Sequence, residues 1–431
     1  MTHVSRNGKS GSHKRKWKRN LLFIALVAFL SCTTLSLVIL GNTNQQASTS
    51  RLEKEISRSD KKGNNTSEHP PALRLPPTRT QEIPKLPINA VTVPSPKRIS
   101  AEKEVPRNIN IVTANHHFFG SVYERSVPNC KYETSNVEPM KCTFSKKDGT
   151  NLQTADVLLY HMPTASSGST IKRHRPGQLL AGMSMEPGSY YRQQQDLNYL
   201  KRFDIRMYYN RTSEVPLLYS NEWLTNNEIF DPAVPTSEKM PKLVYMNSNC
   251  GAKNGRNSIV QKVMQIGDIK VDSYGRCLNN MKSEKAKNEI FSKYKFCIAM
   301  ENSNEVDYVS EKLWQSLQAG CIPVYFGAPN IADFLPVPVS QIILNYADFG
   351  SPQALSDEMV RISKDDGLYN KFMEYKKLDP RGDVVLPGFR WLVEVADRGH
   401  SQCALCRYVA KILDARKDGV DAGDSTSTAD H

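Results

Sequence analysis

Between residues 241 and 363, short apolar runs alternate with longer amphipathic stretches, and this alternation constrains the fold more than any other feature of the chain. "KLVYMNSN" reads as a strand, "GRNSIVQKVMQI" as a helix, "IKVDSYG" as a strand and "SEKAKNEIFSKY" as a helix. The strands continue with "KFCIAM", "CIPVYFG" and "QIILNY". The helices continue with "SEKLWQSLQAG", closed by Gly320, and "SPQALSDEMVRIS", where Ser351 and Pro352 supply N-cap and first-turn signals. Strands that alternate with helices of this length form a parallel sheet covered on both faces. Ligands of such sheets lie beyond the carboxyl ends of the strands. An earlier block, "NINIVTANHHFFG", "ADVLLYHMP" and "QLLAGMSMEP", predicts a second α/β lobe.

One strand in this pattern ends unusually. The apolar run Phe296 to Met300 stops at Glu301-Asn302-Ser303-Asn304, and the next helix opens with Ser310, Glu311 and Lys312. Free backbone N–H groups at a helix start favour anions. Lys312 adds a positive charge, Glu311 can accept hydrogen bonds from sugar hydroxyls, and Tyr308 offers a ring or a phenol. Together they describe a pocket for a nucleotide diphosphate. The competing reading is an N-cap, an exposed lysine and a loop of solvated polar side chains.

The chain of 431 residues exceeds one ordinary core, and its net charge of +13 raises the question of nucleic acid. Seven of those charges, Arg6, Lys9, Lys14, Arg15, Lys16, Lys18 and Arg19, stand in the first twenty residues with no acid among them, leaving six for everything else. The excess belongs largely to a tail. That tail abuts "LLFIALVAFLSCTTLSLVIL", which carries no charge and has the roughly 20-residue length of a bilayer-spanning helix. The positive-inside rule then predicts residues 1–20 as a cytoplasmic tail and 21–40 as a signal anchor with the remainder lumenal, a topology that excludes a nucleic-acid role. A cleaved signal peptide is the rival, but no small-residue cleavage site follows. Residues 41–105, rich in Ser, Pro and charge, read as a stem linker. The expected boundaries beyond it are a first lobe over 106–240, a second lobe over 241–375, and an extension over 376–431 with a CxxC and a disordered tail.

Lumenal exposure agrees with sequons at Asn64, Asn65 and Asn210 and with nine cysteines. Cys403 and Cys406 read as one structural disulfide and Cys130 with Cys142 as another. Cys297 and Cys321, in apolar runs, read as buried thiols.

The stretch "MENSNEVDYVSEKLWQSLQAGCIPVYFGAPNIADFLP" is similar to the signature of the α1,3/α1,4-fucosyltransferases, glycosyltransferase family 10. The resemblance runs back through "NSNCGAKNGR" and "KVDSYGRC" and forward to "CALC", from about residue 108 to 410. It implies a two-lobed GT-B fold of Rossmann-like lobes and GDP-fucose as donor. Arg256 and Lys312 would neutralise the diphosphate, Glu311 would hold ribose or fucose hydroxyls, and Tyr308, Glu301 and Asn302 would shape the pocket. Glu186 in "GMSMEPGSYY" resembles the family's general base, although Pro187 follows it directly. His116, His117 and His161, near strand ends, are the alternatives. "MYYNRTSEVPLLY" lacks the paired basic residues of many relatives, leaving Tyr208, Ser213 and Glu214 as the matching positions. No Asp-x-Asp pair is present, so the expected chemistry does not require a metal, with Mn²⁺ as an activator at most. The implied acceptor is a GlcNAc hydroxyl of a glycoprotein glycan in the Golgi. A protein hydroxyl, or a glycan-binding protein without turnover, are the alternatives.

Overall fold

The computed structural model describes residues 108–116, 126–130, 140–165 and 170–417. The expected tail, anchor and stem, the sequons at Asn64 and Asn65, and His117 lie outside the described residues. Among the described residues no helix is long and apolar enough to cross a membrane.

Two sheets organise the chain. The first contains β1 (Asn108–Thr113), β2 (Ser126–Cys130), β3 (Met140–Lys146), β4 (Val157–His161), β5 (Leu179–Ser184), β6 (Ile205–Tyr208) and β7 (Val215–Pro216), in the order β2-β3-β1-β4-β5-β6-β7. All its neighbours pair parallel except β2 with β3. The second contains β8 (Met240–Tyr245), β9 (Val271–Ser273), β10 (Tyr294–Met300), β11 (Ile322–Phe326) and β12 (Leu344–Asn345), wholly parallel in the order β12-β11-β10-β8-β9. The helices that matter below are α1 (Arg256–Ile266), α2 (Lys287–Phe291), α3 (Glu311–Gln318), α4 (Pro352–Ser363), α5 (Pro387–Asp397) and α6 (Ser401–Lys417).

The central strand β10 explains the second sheet. All seven of its residues are buried, as expected where helices cover both faces. Phe296, Ile298 and Met300 pack with Val260 and Val263 of α1 and Leu355, Met359 and Ile362 of α4. On the other face Ala299 meets Leu313, Trp314 and Leu317 of α3, all fully buried, each contributing about 1.5–3 kcal/mol by burial. Gly320, at φ +64°, ends that helical segment, and a Cβ there would sit 2.4 Å from the Ala233 Cβ. Leu218, Leu224 and Ile229, and Phe389 and Leu392 of α5, belong to the same core. By contrast, Leu405, Cys406, Val409 and Ala410 of α6 pack into the first sheet against Ile109 and Ile111.

The cysteine pairing differs from the sequence reading. Cys406 bonds to Cys142 of β3, 264 residues away, fixing α6 to the first sheet, so Cys142 does not pair with Cys130. Cys403 lies one turn from Cys406 in α6 and is disulfide-bonded separately. Cys297 and Cys321 are bonded rather than free, because the register that sets Phe296 beside Ile322 brings their Cα atoms to 5.9 Å. Cys250 with Cys277 ties the loop after β8 to the loop after β9. Spacing along the chain carries none of these cross-strand distances.

Candidate active site

In the second sheet the chain passes from β8 outward to β9 and then crosses back to β10, so the connections leaving β8 and β10 diverge. That divergence is the switch point where open α/β sheets hold ligands. Residues 247–255 and 301–310 form its two walls.

Glu301 is the floor. It is fully buried, and its carboxylate accepts the Ser310 N–H at 2.7 Å and the Ser310 hydroxyl at 2.6 Å. Ser310 therefore stands at the N-cap position of α3 without capping it, its hydroxyl having gone to Glu301. The Lys312 ammonium lies 2.9 Å from Ser310 Oγ, 3.0 Å from Glu311 Oε1 and 3.6 Å from Glu301 Oε2. Burial alone would push the Lys312 ammonium down, but Glu301 and Glu311 outweigh it and hold it above its usual value. Burial raises Glu301, only partly opposed by Lys312. Burial would also raise Glu311, yet Lys312, with Lys287 adding, holds it below the ordinary carboxylate value. Lys312 is thus a part-buried cation set against two carboxylates at a helix start, and the exposed-lysine reading does not hold.

Gly327 makes this floor possible, since a Cβ there would lie 2.5 Å from Tyr325 Oη and 2.6 Å from Glu301 Cγ. Gly327→Ala is expected to cost about 1–3 kcal/mol of stability by overpacking. Chemical denaturation checks it, and an unchanged midpoint would show that the Glu301 floor tolerates a Cβ at Gly327.

Arg256 is the second cation. It opens α1, is 1% exposed, and donates to the carbonyl oxygens of Met300 and Asn249, each at 3.0 Å, bracing the end of β10 against the loop after β8. Its Nε is buried with no partner, and no carboxylate among the described residues lies within ion-pair distance. A buried guanidinium without a counter-charge suits an anionic ligand, whereas a surface salt bridge is excluded by its burial. Asn254 completes this wall, donating to the Glu301 carbonyl at 2.9 Å and to Asn304 Oδ1 at 2.8 Å.

Tyr308 and Asn302 also gather here. Tyr308 is buried and its ring meets Tyr209 and Tyr219 edge-on, with burial raising its phenol well above the usual range, so it forms wall rather than contact. The Asn302 Oδ1 is buried without a partner.

Glu186 arrives from the first sheet, just past β5. Its backbone is fixed: its N–H donates to Ser184 Oγ at 3.0 Å, and its carbonyl accepts from Tyr208 Oη at 3.2 Å and Gln194 Nε2 at 3.3 Å. Its carboxylate accepts no hydrogen bond from the described residues. Burial pushes that carboxyl up, with Lys312 opposing and Glu311 adding. Both charges belong to the start of α3 in the second sheet's lobe, whereas Glu186 follows a strand of the first sheet. Glu301, Asn302, Tyr308, Glu311 and Lys312 lie between the end of β10 and the start of α3, Arg256 opens α1 beside them, and Glu186 belongs to the first sheet.

The weaker candidates resolve differently. His161 is buried in a staple joining the ends of β4 and β1: its ring shares a hydrogen bond with Thr164 Oγ1 at 2.8 Å, and its N–H donates to Asn115 Oδ1 at 2.8 Å. Glu214 pairs with Arg206, accepting from its N–H and Nε at 2.9 Å each, and Tyr208 donates its hydroxyl to the Glu186 carbonyl while its ring packs against Tyr209. Ser213, in the turn that follows, makes only a backbone bond to the Asn210 carbonyl. Asn210 Oδ1 closes a turn by accepting from the Thr212 N–H at 2.9 Å and hydroxyl at 2.6 Å. His116 is exposed.

Sequence reasoning missed Lys287 and Glu305. Lys287 donates to Gln315 Oε1 at 2.7 Å, one turn along α3 from Glu311, and burial pushes its ammonium down to about 8 against the pull of Glu311. Glu305 sits inside the quoted signature, but the main-chain N–H groups of Gly188 and Ser189 that it accepts from are more than a hundred residues away. Among the described residues no three His, Cys, Asp or Glu side chains group to hold a metal ion.

Residues 236–419 match the glycosyltransferase family 10 (fucosyltransferase) C-terminal domain. A fucosyltransferase-like protein of Arabidopsis thaliana is 35% identical over 238 residues, which are 55% of this chain and 44% of that protein. GDP-fucose protein O-fucosyltransferase 3 of Rattus norvegicus is 35% identical over 47% of this chain and 46% of its own length, and the Homo sapiens protein of that name 34% over 40% and 39%. The chain spans less than half the length of these relatives. A crystal structure of an α1,3-fucosyltransferase with GDP aligns over 73% of this chain and 94% of that one, with TM-score 0.49 and 17% identity.

Proposed function

We propose that this chain, whose residues 236–419 carry the glycosyltransferase family 10 (fucosyltransferase) domain, transfers L-fucose from GDP-fucose to an acceptor hydroxyl with inversion. The observation that carries the reading is the pair of cations at the switch point of the second sheet, Arg256 buried and Lys312 part-buried, with the charge of Lys312 acting on the Glu186 carboxylate of the first. In this reading the two-sheet arrangement is GT-B. The acceptor oxygen attacks the anomeric carbon and loses its proton to Glu186. The bond from that carbon to the β-phosphate oxygen breaks, and its electron pair leaves with GDP. Arg256 and Lys312 stabilise the growing charge on the phosphate, and Glu311, kept ionised by Lys312, accepts sugar hydroxyls.

The first acceptor reading is a GlcNAc hydroxyl of a glycoprotein glycan, giving an α1,3 or α1,4 linkage. A serine or threonine hydroxyl of a folded protein is the second, supported by the names of the relatives just given. The uncharged residues 21–40 and their basic flank support a Golgi anchor of type II with the catalytic part lumenal.

The test is GDP release with GDP-fucose and two acceptor sets, GlcNAc-terminated glycopeptides and disulfide-bonded protein domains, followed by mass spectrometry. A fucose mass gain on one set identifies the acceptor class. GDP-fucose binding with no mass gain on either would remove the enzymatic reading in favour of a binding protein.

A further inference from the structure

The turn that carries Glu186 is held from the opposite lobe. Glu305 Oε2 accepts the Gly188 N–H and the Tyr209 hydroxyl, each at 2.9 Å. Its Oε1 accepts the Ser189 N–H at 2.9 Å and the Ser303 hydroxyl at 2.8 Å. One carboxylate thus satisfies two successive main-chain N–H groups of the first lobe, a bidentate grip that fixes orientation as well as distance. Around it the Ser189 and Ser303 hydroxyls share a hydrogen bond at 2.9 Å, and the Tyr190 hydroxyl meets the Asn302 carbonyl at 3.4 Å, the Lys253 N–H at 3.2 Å and Asn249 Nδ2 at 3.3 Å. Residues 188–190 therefore dock on both walls of the donor crevice. A Cβ at Gly188 would lie 2.9 Å from Cγ of the exposed Gln195 side chain, which would have to turn aside.

We infer that Glu305 is the positioning residue that sets Glu186 over the donor crevice, acting as a latch between the turn after β5 and the loop after β10. The inference rests on the reading of Glu186 as base and of the crevice as donor site. The chemistry of the latch requires a carboxylate. Four donors converge on two oxygens, and an amide of the same shape would turn its own N–H groups toward two of them.

The test is Glu305→Gln in the full chain, with Glu305→Asp and Tyr209→Phe beside it. For Glu305→Gln, kcat for fucosyl transfer is expected to fall about 100-fold, the loss typical of a misplaced catalytic group. The dissociation constant for GDP is expected to stay within about twofold, because the latch touches neither Arg256 nor Lys312. Glu305→Asp, which keeps the charge, recovers part of kcat, and Tyr209→Phe adds nothing to Glu305→Gln although it lowers kcat on its own. The amides of residues 188–190 exchange hydrogen faster in Glu305→Gln, whatever reaction the site performs. A kcat within twofold of the native value, or a parallel loss of GDP affinity, overturns the positioning role, and unchanged amide exchange overturns the latch itself. A native chain that transfers no fucose overturns the proposed function instead, leaving the exchange measurement to decide the latch.

Discussion

Replacing Lys312 with methionine is expected to lower fucosyl transfer about 1,000-fold, near the upper end of what one preorganised electrostatic contact supplies. The stem of methionine fills the space, so the change is chiefly the loss of a charge. Two consequences must be separated. The diphosphate loses a cation 13% exposed and aimed from the start of α3. Glu301, wholly buried, also loses its nearest positive charge, and an uncompensated buried carboxylate costs about 3–5 kcal/mol. Burial already raises Glu301, so in the variant it takes up a proton and the fold weakens rather than fails. Lys312→Met with Glu301→Gln removes both charges while leaving an amide oxygen for the Ser310 N–H. The double variant is expected to regain most of the stability in denaturant titration and none of the transfer. Recovery of turnover would make Lys312 a structural partner of Glu301 and leave Arg256 as the phosphate cation.

Some of this was readable from sequence because it depends on local pattern. Strand β10 announces itself by an apolar run bounded by polar residues, and α4 by Ser351, whose hydroxyl accepts the Ala354 N–H at 3.1 Å. The helix expected over 283–294 shrinks to Lys287–Phe291, because Ser283, Glu284, Lys285 and Ala286 are exposed and give its first turn no face to bury. "QIILNY" pairs only at Leu344–Asn345. The grouping of Glu301, Tyr308, Glu311 and Lys312 at the end of β10 and the start of α3 was legible because they fall in one continuous stretch. The latch was not, since Glu305 is one more polar residue in a polar loop until Gly188 and Ser189 are brought to it. Disulfide pairing failed for the same reason, Cys142 and Cys406 being distant in sequence and adjacent only across a helix–sheet contact.

Glu186→Gln is expected to lower kcat by about 1,000-fold or more, within the range for loss of a general base, while GDP and GDP-fucose bind as before. Glutamine keeps the shape and the backbone bonds to Ser184, Tyr208 and Gln194, none of which uses the carboxylate. The pH dependence supplies the sharper test. A general base works only when deprotonated, so transfer falls as pH falls through the Glu186 pKa. Burial raises that value, with Lys312 opposing and Glu311 adding, which puts the acid limb of kcat/KM above the pH of an ordinary glutamate. Bound diphosphate draws on the charge of Lys312, weakening its hold on Glu186, so the limb in kcat is expected to lie higher than the limb in kcat/KM. In Glu186→Gln the residual rate should show no limb in that region. A limb that survives the substitution belongs to another group, and the proton of the acceptor hydroxyl would then leave by a path that does not pass through Glu186.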